Sequence, residues 1–221
     1  MDRAVEAARK AFDDGPWPLT MPSERAKYLY RLADALKKRE PEIAKAWSAQ
    51  IGMLSTIAPF IVGGGAASVQ HMASVTEQYE FEKRVTSSEA DTAVVVREPV
   101  GVVAAIAPWN APYTIMLNKV VAALSAGCTV IMKPSPETPL EAYIIAEAVE
   151  EVGLPLGVVN LVCGDRAASD HLVCNHGVDK VSFTGSTLAG RRIASVCGER
   201  IARCTLELGG KSAAIVRDDF S

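Results

Sequence analysis

"VSFTGSTLAGRR", residues 181–192, is the segment from which the architecture of this chain follows. Its apolar start up to Phe183 predicts a buried strand, the small residues that follow predict a turn, and its last residues predict the beginning of a helix. Such a unit places unpaired N–H groups and the positive end of a helix dipole at the carboxyl edge of a sheet. Gly185 allows close backbone approach, and Ser186 offers a hydroxyl. The unit fits an anionic ligand such as a pyrophosphate, or simply a helix that Ser186 caps.

Strand-like and helical segments alternate on both sides of this unit. Short, uniformly apolar strands separated by helices indicate an α/β fold with a doubly wound, parallel, Rossmann-like sheet that is covered on both faces. The predicted strands are 93–96, 100–107, 128–132, 158–162, 180–183, 203–208 and 213–216, and the main helices between them are 112–126, 139–152 and 187–196.

The chain before this pattern is helical. Ser23 is expected to cap the second helix, Pro41 suits the first turn of the third, and a long apolar helix is expected over 57–81. We therefore predict two parts, a helical segment over residues 1–92 that packs on a Rossmann-like portion over residues 93–221.

Composition excludes several classes of protein. Of the 221 residues 49% are hydrophobic and 22% charged, and the net charge is −3, so neither nucleic acid nor a membrane is an expected partner. The start of the chain lacks the apolar core of a signal peptide, which favours a cytoplasmic protein. The five cysteines are an odd set and are expected to be free thiols. His171, Cys174 and His176 match no common zinc spacing, so no metal site is predicted.

Two further segments place polar side chains after predicted strands. In "IAPWNAP" (106–112), Asn110 is either an amide donor for a developing oxyanion or the cap of the next helix. In "VIMKPSPETP" (130–139), Lys133 leaves an apolar strand and either extends its ammonium to solvent or holds hydroxyls or phosphate. Both segments lie at the sheet edge where ligands bind in such folds.

The segment "LELGGK" (206–211) adds a carboxylate at the same edge. Glu207 precedes a double glycine on an apolar strand, and a partly buried carboxylate can act as a base near neutral pH. The alternative is a strand-end Glu207 that pairs with a nearby Lys or Arg. Cys204 lies three residues earlier and is expected to face the opposite side of the strand.

The segments PWN, MKPS, FTGST and LELGGK, in this order, resemble the NAD(P)-dependent aldehyde dehydrogenases, and the resemblance runs from DRAVEAARKAFDDGPW to the end of the chain. It implies a reaction in which an aldehyde forms a thiohemiacetal with a cysteine, hydride passes to NAD or NADP, and the resulting thioester is hydrolysed to the acid. What is present here resembles the cofactor-binding portion of such an enzyme.

The resemblance also implies roles for individual residues. Asn110 matches the amide of the oxyanion hole, and Glu207 matches the general base that activates water. Lys133 matches the lysine that binds the adenosine ribose, and Ser186 matches the serine at the cofactor pyrophosphate. The other positions implied to bind the cofactor are Ile106, Pro108, Trp109, Ser135, Pro136, Gly164, Phe183, Gly185, Ala189 and Leu208.

The chain departs from the family pattern at several points. Many members carry a glutamate where this chain has Pro136, with Glu137 one residue later, and this weakens the case for strict NAD preference. The turn after residue 162 is less glycine-rich than usual, and Arg166 there either meets a phosphate or is solvent-exposed. Residues 80–92 are short for the strands that help family subunits to associate.

The largest departure concerns the nucleophile. The resemblance places the catalytic cysteine beyond LELGGK, in a further domain, so we expect a truncated chain that is inactive alone. The implied partners are an aldehyde substrate and either a homo-oligomer or a companion chain that carries the cysteine. A stand-alone nucleotide-binding or regulatory module and a non-functional remnant stay open as alternatives.

Overall fold

The structure, a computed structural model, describes residues 1–86 and 92–219 as helices and strands joined by short loops. The helices are α1 (Asp2–Asp13), α2 (Pro22–Lys38), α3 (Glu40–Ile51), α4 (Ala58–Gln78), α5 (Pro112–Ser125), α6 (Leu140–Val152), α7 (Arg166–Cys174) and α8 (Thr187–Glu199). The strands are β1 (Glu82–Val85), β2 (Ala93–Val96), β3 (Val102–Ile106), β4 (Thr129–Lys133), β5 (Val159–Leu161), β6 (Lys180–Gly185) and β7 (Arg203–Leu208).

Five strands form one parallel sheet in the order β5-β4-β3-β6-β7, which confirms the predicted doubly wound α/β class. Because side chains alternate along a strand, the central strand β3 supplies both faces. Val103 and Ala105 belong to the core under α5 and α6, whereas Val102, Ala104 and Ile106 belong to the core under α1, α7 and α8. The residues of β3 and β4 are buried, as expected for a sheet covered on both sides.

The N-terminal helices lie on both faces of the sheet. Helices α2, α3 and α4 pack against one another and extend the core over α5 and α6, while α1 crosses to the opposite face and contacts β4. Trp17 is buried, and its indole N–H donates to the carbonyl oxygen of Cys128 at 3.1 Å. Pro41 lies in the first turn of α3, as predicted.

Two predictions about helix ends are corrected. Ser23 does not cap α2, because the helix begins one residue before it, at Pro22, after Met21. Proline suits this first position, since its ring fixes φ and its missing N–H would have no partner there. The long apolar helix is shorter than predicted, because the chain becomes extended at Tyr79.

Two predictions about strands are also corrected. Residues 93–96 do form a strand, but it pairs antiparallel with β1 in a separate hairpin and does not enter the parallel sheet. Residues 213–216 form no strand. Ile215 and Val216 are almost fully exposed and lie beyond the edge strand β7, with no described strand beside them to complete a ladder. Of the segment 80–92, residues 87–91 lie outside the described part of the chain.

Candidate functional site

The parallel register brings the predicted site residues to one edge of the sheet. Lys133 of β4 is level with Ile106 of β3, Ile106 with Phe183 of β6, and Phe183 with Leu206 of β7. With strands about 4.8 Å apart, this row spans roughly 14 Å. The turns that follow the row carry the remaining candidates, at the edge where open α/β sheets bind ligands.

A cleft with a volume of about 1360 Å³ opens at this edge. It is lined by both candidate catalytic residues, Asn110 and Glu207, and by all but two of the candidate cofactor residues. These are Ile106, Pro108, Trp109, Lys133, Ser135, Phe183, Gly185, Ser186, Ala189 and Leu208.

The two exceptions are Pro136 and Gly164, which the structure places beside the cleft but not on its wall. Pro136 is exposed in the turn after β4. Gly164 faces α7, where an added Cβ would lie 2.6 Å from the Cβ of Ala168. Its small size is therefore explained by the close approach of α7.

Lys133 is the most unusual side chain of the cleft. It is only 5% exposed, yet among the described residues its ammonium donates no hydrogen bond. Burial lowers the pKa of Lys133, an effect that nearby Glu137, Cys163 and Asp165 oppose. Glu137 accepts a hydrogen bond from Ser135, which lowers the pKa of that carboxyl group. The structure thus holds a desolvated cation at the cleft wall, with a carboxylate close by.

The turn between β6 and α8 faces the middle of the cleft. The hydroxyl of Ser186 accepts a hydrogen bond from the N–H of Ala189 at 3.2 Å, so Ser186 is the cap of α8. The N–H groups of Thr187 and Leu188, in the same first turn, have no acceptor within the helix. An added Cβ at Gly185 would lie 2.5 Å from the ring of Phe183, so here the glycine makes room for a side chain of the cleft floor.

Asn110 is not a helix cap. Helix α5 begins after Ala111 and has no side-chain cap, and the exposed Asn110 amide makes no hydrogen bond within residues 1–86 and 92–219. Trp109 beside it is 55% exposed and lines the cleft. Both side chains therefore remain available to a ligand.

Glu207 is exposed, in contrast to the partial burial expected for it. The reason is its position on β7, the edge strand, where no described element covers the carboxylate. Glu207 forms no ion pair with any described residue. Besides the cleft, it lines a smaller cavity of about 610 Å³ beside α5. Lys119 lies there and donates to Ser182 at 3.1 Å. Burial lowers the pKa of Lys119, and Glu207 opposes that shift.

Further charged residues line the cleft, and among them Arg166 was considered as a phosphate ligand from the sequence, whereas Asp165, Asp170 and Arg192 were not. Asp165 caps α7, and Arg166, exposed, follows it on the cleft wall. Arg192 of α8 donates two hydrogen bonds to Asp170 of α7, at 2.9 and 3.1 Å, which lowers the pKa of Asp170. The signal available in the sequence was the helical spacing of Arg192 from Ala189, three residues earlier, which places both on the cleft side of α8.

None of the five cysteines lines the cleft. Cys128 and Cys197 are buried, whereas Cys163 lies 3.6 Å from the hydroxyl of Tyr143. His171 bonds Asp2 at 2.6 Å, and the described residues contain no group of side chains that would hold a metal ion. No helix in the described ranges is both long and apolar enough to cross a membrane.

Comparison with known proteins extends along the whole chain. Residues 1–221 match the model of the aldehyde dehydrogenase family. Geranial dehydrogenase of Castellaniella defragrans is 47% identical over 220 residues, which are 99% of this chain and 46% of that protein.

Solved structures agree with this match. The aldehyde dehydrogenase of Mycobacterium tuberculosis complexed with NAD+ is 42% identical, with a TM-score of 0.92 over 99% of this chain and 45% of the other. The NAD-dependent aldehyde dehydrogenase of Sinorhizobium meliloti is 36% identical, with a TM-score of 0.91 over 95% and 42% of the two chains. The chain thus spans less than half the length of these relatives. The motifs, the fold and these matches agree, and the chain belongs to the aldehyde dehydrogenase family.

Proposed function

We propose that this chain is the dinucleotide-binding part of an NAD(P)-dependent aldehyde dehydrogenase and that NAD or NADP occupies the cleft. The observation that carries the proposal is the position of Lys133, a largely buried lysine on the wall of the cleft. Lys133 is 5% exposed, its burial disfavours the charged form, and its ammonium has no acceptor among the described residues. The position of this ammonium on a ligand-sized cleft supports a role in binding. The relative from M. tuberculosis, which was solved with NAD+, supports the same ligand class.

The residues on the cleft fit a dinucleotide in three places. Lys133 would donate to ribose hydroxyls at one end. The first turn of α8, with the hydroxyl of Ser186, would hold the pyrophosphate, since N–H groups and the helix dipole both favour an anion. Arg166 adds positive charge nearby. When bound, the cofactor accepts the hydride that leaves the aldehyde.

Asn110 and Glu207 would serve the aldehyde. The amide of Asn110 would donate a hydrogen bond to the aldehyde oxygen as negative charge develops on it. The carboxylate of Glu207 would take a proton from water during hydrolysis of the thioester. Because no thiol lines the cleft, the nucleophilic cysteine is proposed to lie outside these 221 residues, on further chain or on a companion chain.

The division into a helical segment (1–92) and a Rossmann-like portion (93–221) is part of this proposal. The packing of α2 and α4 against α5 and α6 supports it, because these two helices form a layer outside α5 and α6 and leave the cleft edge open. Association of subunits through further surfaces is likewise a proposal.

The test is a titration of the 221-residue chain with NAD+ and NADP+, monitored by tryptophan fluorescence and calorimetry. Trp109 is the exposed indole on the cleft, while Trp17 and Trp47 are 0% and 3% exposed. We expect saturable quenching with a Kd below about 1 mM, a binding free energy of at least about 4 kcal/mol. The variant Trp109→Phe should lose the quenching but keep a calorimetric signal.

Absence of saturable binding to either dinucleotide would refute the proposal. A second assay adds an aldehyde and follows NADH or NADPH formation. We expect no turnover by this chain alone, and turnover that persists in Glu207→Gln would contradict the proposed role of the carboxylate.

A further inference from the structure

Two thiols meet where helix α8 turns back into strand β7. Helix α8 runs antiparallel to β7, because an added Cβ at Gly190, early in the helix, would overlap the side chain of Leu208, at the end of the strand. The other end of the pair is closed by a tight turn, in which the N–H of Ala202 donates to the carbonyl oxygen of Cys197 at 2.8 Å. Cys197, near the end of α8, and Cys204, near the start of β7, therefore lie at about the same distance from this turn.

The backbone of the turn supports this close approach. Ile201 has φ of 57°, in the left-handed region that a β-branched residue rarely adopts. Because side chains alternate along β7, Cys204 shares the face of Leu206 and Leu208, which is the face that α8 covers. Leu206 packs on the same core cluster as Cys197. The two thiols thus face each other across the interface of α8 and β7.

Their exposure differs in a way that matters for chemistry. Cys197 is 1% exposed, and burial, with a further contribution from the neighbouring Cys204, raises the pKa of its thiol. Cys204 is exposed on the edge strand. An oxidant in solvent therefore reaches Cys204 first, and a protonated thiol stands beside it.

We propose that Cys197 and Cys204 are a redox-modification site that closes to an intrachain disulfide in the presence of a hydroperoxide. The thiolate of Cys204 attacks the peroxide, the O–O bond breaks, and Cys204 becomes a sulfenic acid as the peroxide is reduced to water or an alcohol. The sulfur of Cys197 then attacks the sulfur of Cys204, the S–O bond breaks, and water leaves with the Cys197 proton. Two thiols are oxidised and one peroxide is reduced, and a dithiol reductant reverses the change.

The other cysteines lack this arrangement in the described part of the chain. Cys163 is exposed, but its neighbour is the hydroxyl of Tyr143. Cys174 lies near Asp170 and Arg192. Cys163 therefore serves as an internal control, because it is an exposed thiol without a second thiol beside it.

The experiment is peptide mapping of the intact 221-residue chain after treatment with hydrogen peroxide and blocking of remaining thiols. Trypsin cuts after Arg192, Arg200, Arg203 and Lys211, so the two cysteines fall on the separate peptides 193–200 and 204–211. We expect these peptides to be joined by a disulfide that dithiothreitol removes. Cys163 is expected to appear as a sulfenic acid that dimedone traps, or as a higher acid that does not react with dimedone.

Variants distinguish the two roles. In Cys197→Ser, Cys204 should accumulate as a dimedone-trapped sulfenic acid, at least several-fold more than in the unmodified chain. In Cys163→Ser, the yield of the joined peptides should not change. Failure of the two peptides to join, a disulfide that joins two molecules, or a disulfide that uses another cysteine would each overturn the proposal.

Discussion

Replacement of Lys133 by methionine separates the binding role of this residue from any structural one. Methionine keeps a long, flexible stem in the buried position and removes only the ammonium. If the ammonium serves a ligand, the variant should lose affinity for NAD+ and NADP+ and lose no stability. If Lys133 is structural, stability should fall.

The loss of affinity follows from the burial of the group. A hydrogen bond to a charged group contributes about 1.5–3 kcal/mol, and Lys133 as a whole is only 5% exposed. At about 1.4 kcal/mol per tenfold change, Kd should rise roughly 10- to 150-fold. Calorimetric titration of both proteins measures it. Lys211→Met is the matched control, because Lys211 is an exposed lysine on the same cleft, and its effect should stay below about fivefold.

The contribution of Lys133 to the free energy of unfolding changes with pH in a defined direction. Burial lowers the pKa of Lys133 below its usual 10.5, so in the alkaline range between the two values the unfolded chain binds more protons. At neutral pH the desolvated ammonium lowers the free energy of unfolding. As pH rises through that range, the folded chain loses this proton and the free energy of unfolding increases again. Lys133→Met should be at least as stable at neutral pH and should lack this rise. Unchanged affinity, or a fall in Tm of more than about 4 °C, would refute the reasoning.

Three further changes test other parts of the structure. Ser186→Ala removes the cap of α8 and should lower the free energy of unfolding by about 1 kcal/mol, seen as a lower urea midpoint, while Ser186→Asn should restore most of it. Gly65→Ala should lower the free energy of unfolding by about 1–3 kcal/mol, because the added Cβ would overlap the Tyr113 ring. Gly64→Ala should raise it by about 0.5–1 kcal/mol, because the added Cβ there meets nothing within 4 Å. A larger loss of stability in Gly64→Ala than in Gly65→Ala would contradict the packing. Burial raises the pKa of Glu141 above 4.5, so in the range just above that value the folded chain binds more protons and its stability falls as pH rises; urea midpoints at about pH 5 and pH 7 should show a smaller fall for Glu141→Gln.

Most of the fold could be predicted because hydrophobic spacing decides it. The strands at the centre of the sheet are short apolar runs, and both sides of β3 are buried, so their sequence signal is strong. Predictions failed where local and long-range effects compete. Residues 213–216 have the composition of a strand, but a strand exists only where a neighbour completes its hydrogen bonds. Residues 93–96 are a strand with a neighbour that periodicity could not identify.

The site was predictable in position more than in detail. Parallel strands place their carboxyl ends together, so Lys133, Phe183 and Glu207 were expected at one edge from topology alone. Burial of individual groups depends on which strand is the edge, and for that reason the exposure of Glu207 was not foreseen. Arg192 and Asp170 lie on two different helices, so no local sequence pattern predicts that they pair.

The strand order also divides the candidate catalytic groups by how firmly each is held. Asn110 follows β3, which has a parallel neighbour on each side, whereas Glu207 lies on β7, which in the described sheet has only β6. Amide hydrogens of β7 should exchange with solvent through small, frequent openings, while those of β3 exchange only through much larger ones. A ligand that contacts both groups would therefore slow hydrogen exchange most in β7, so protection of that strand reports whether the site has been assembled.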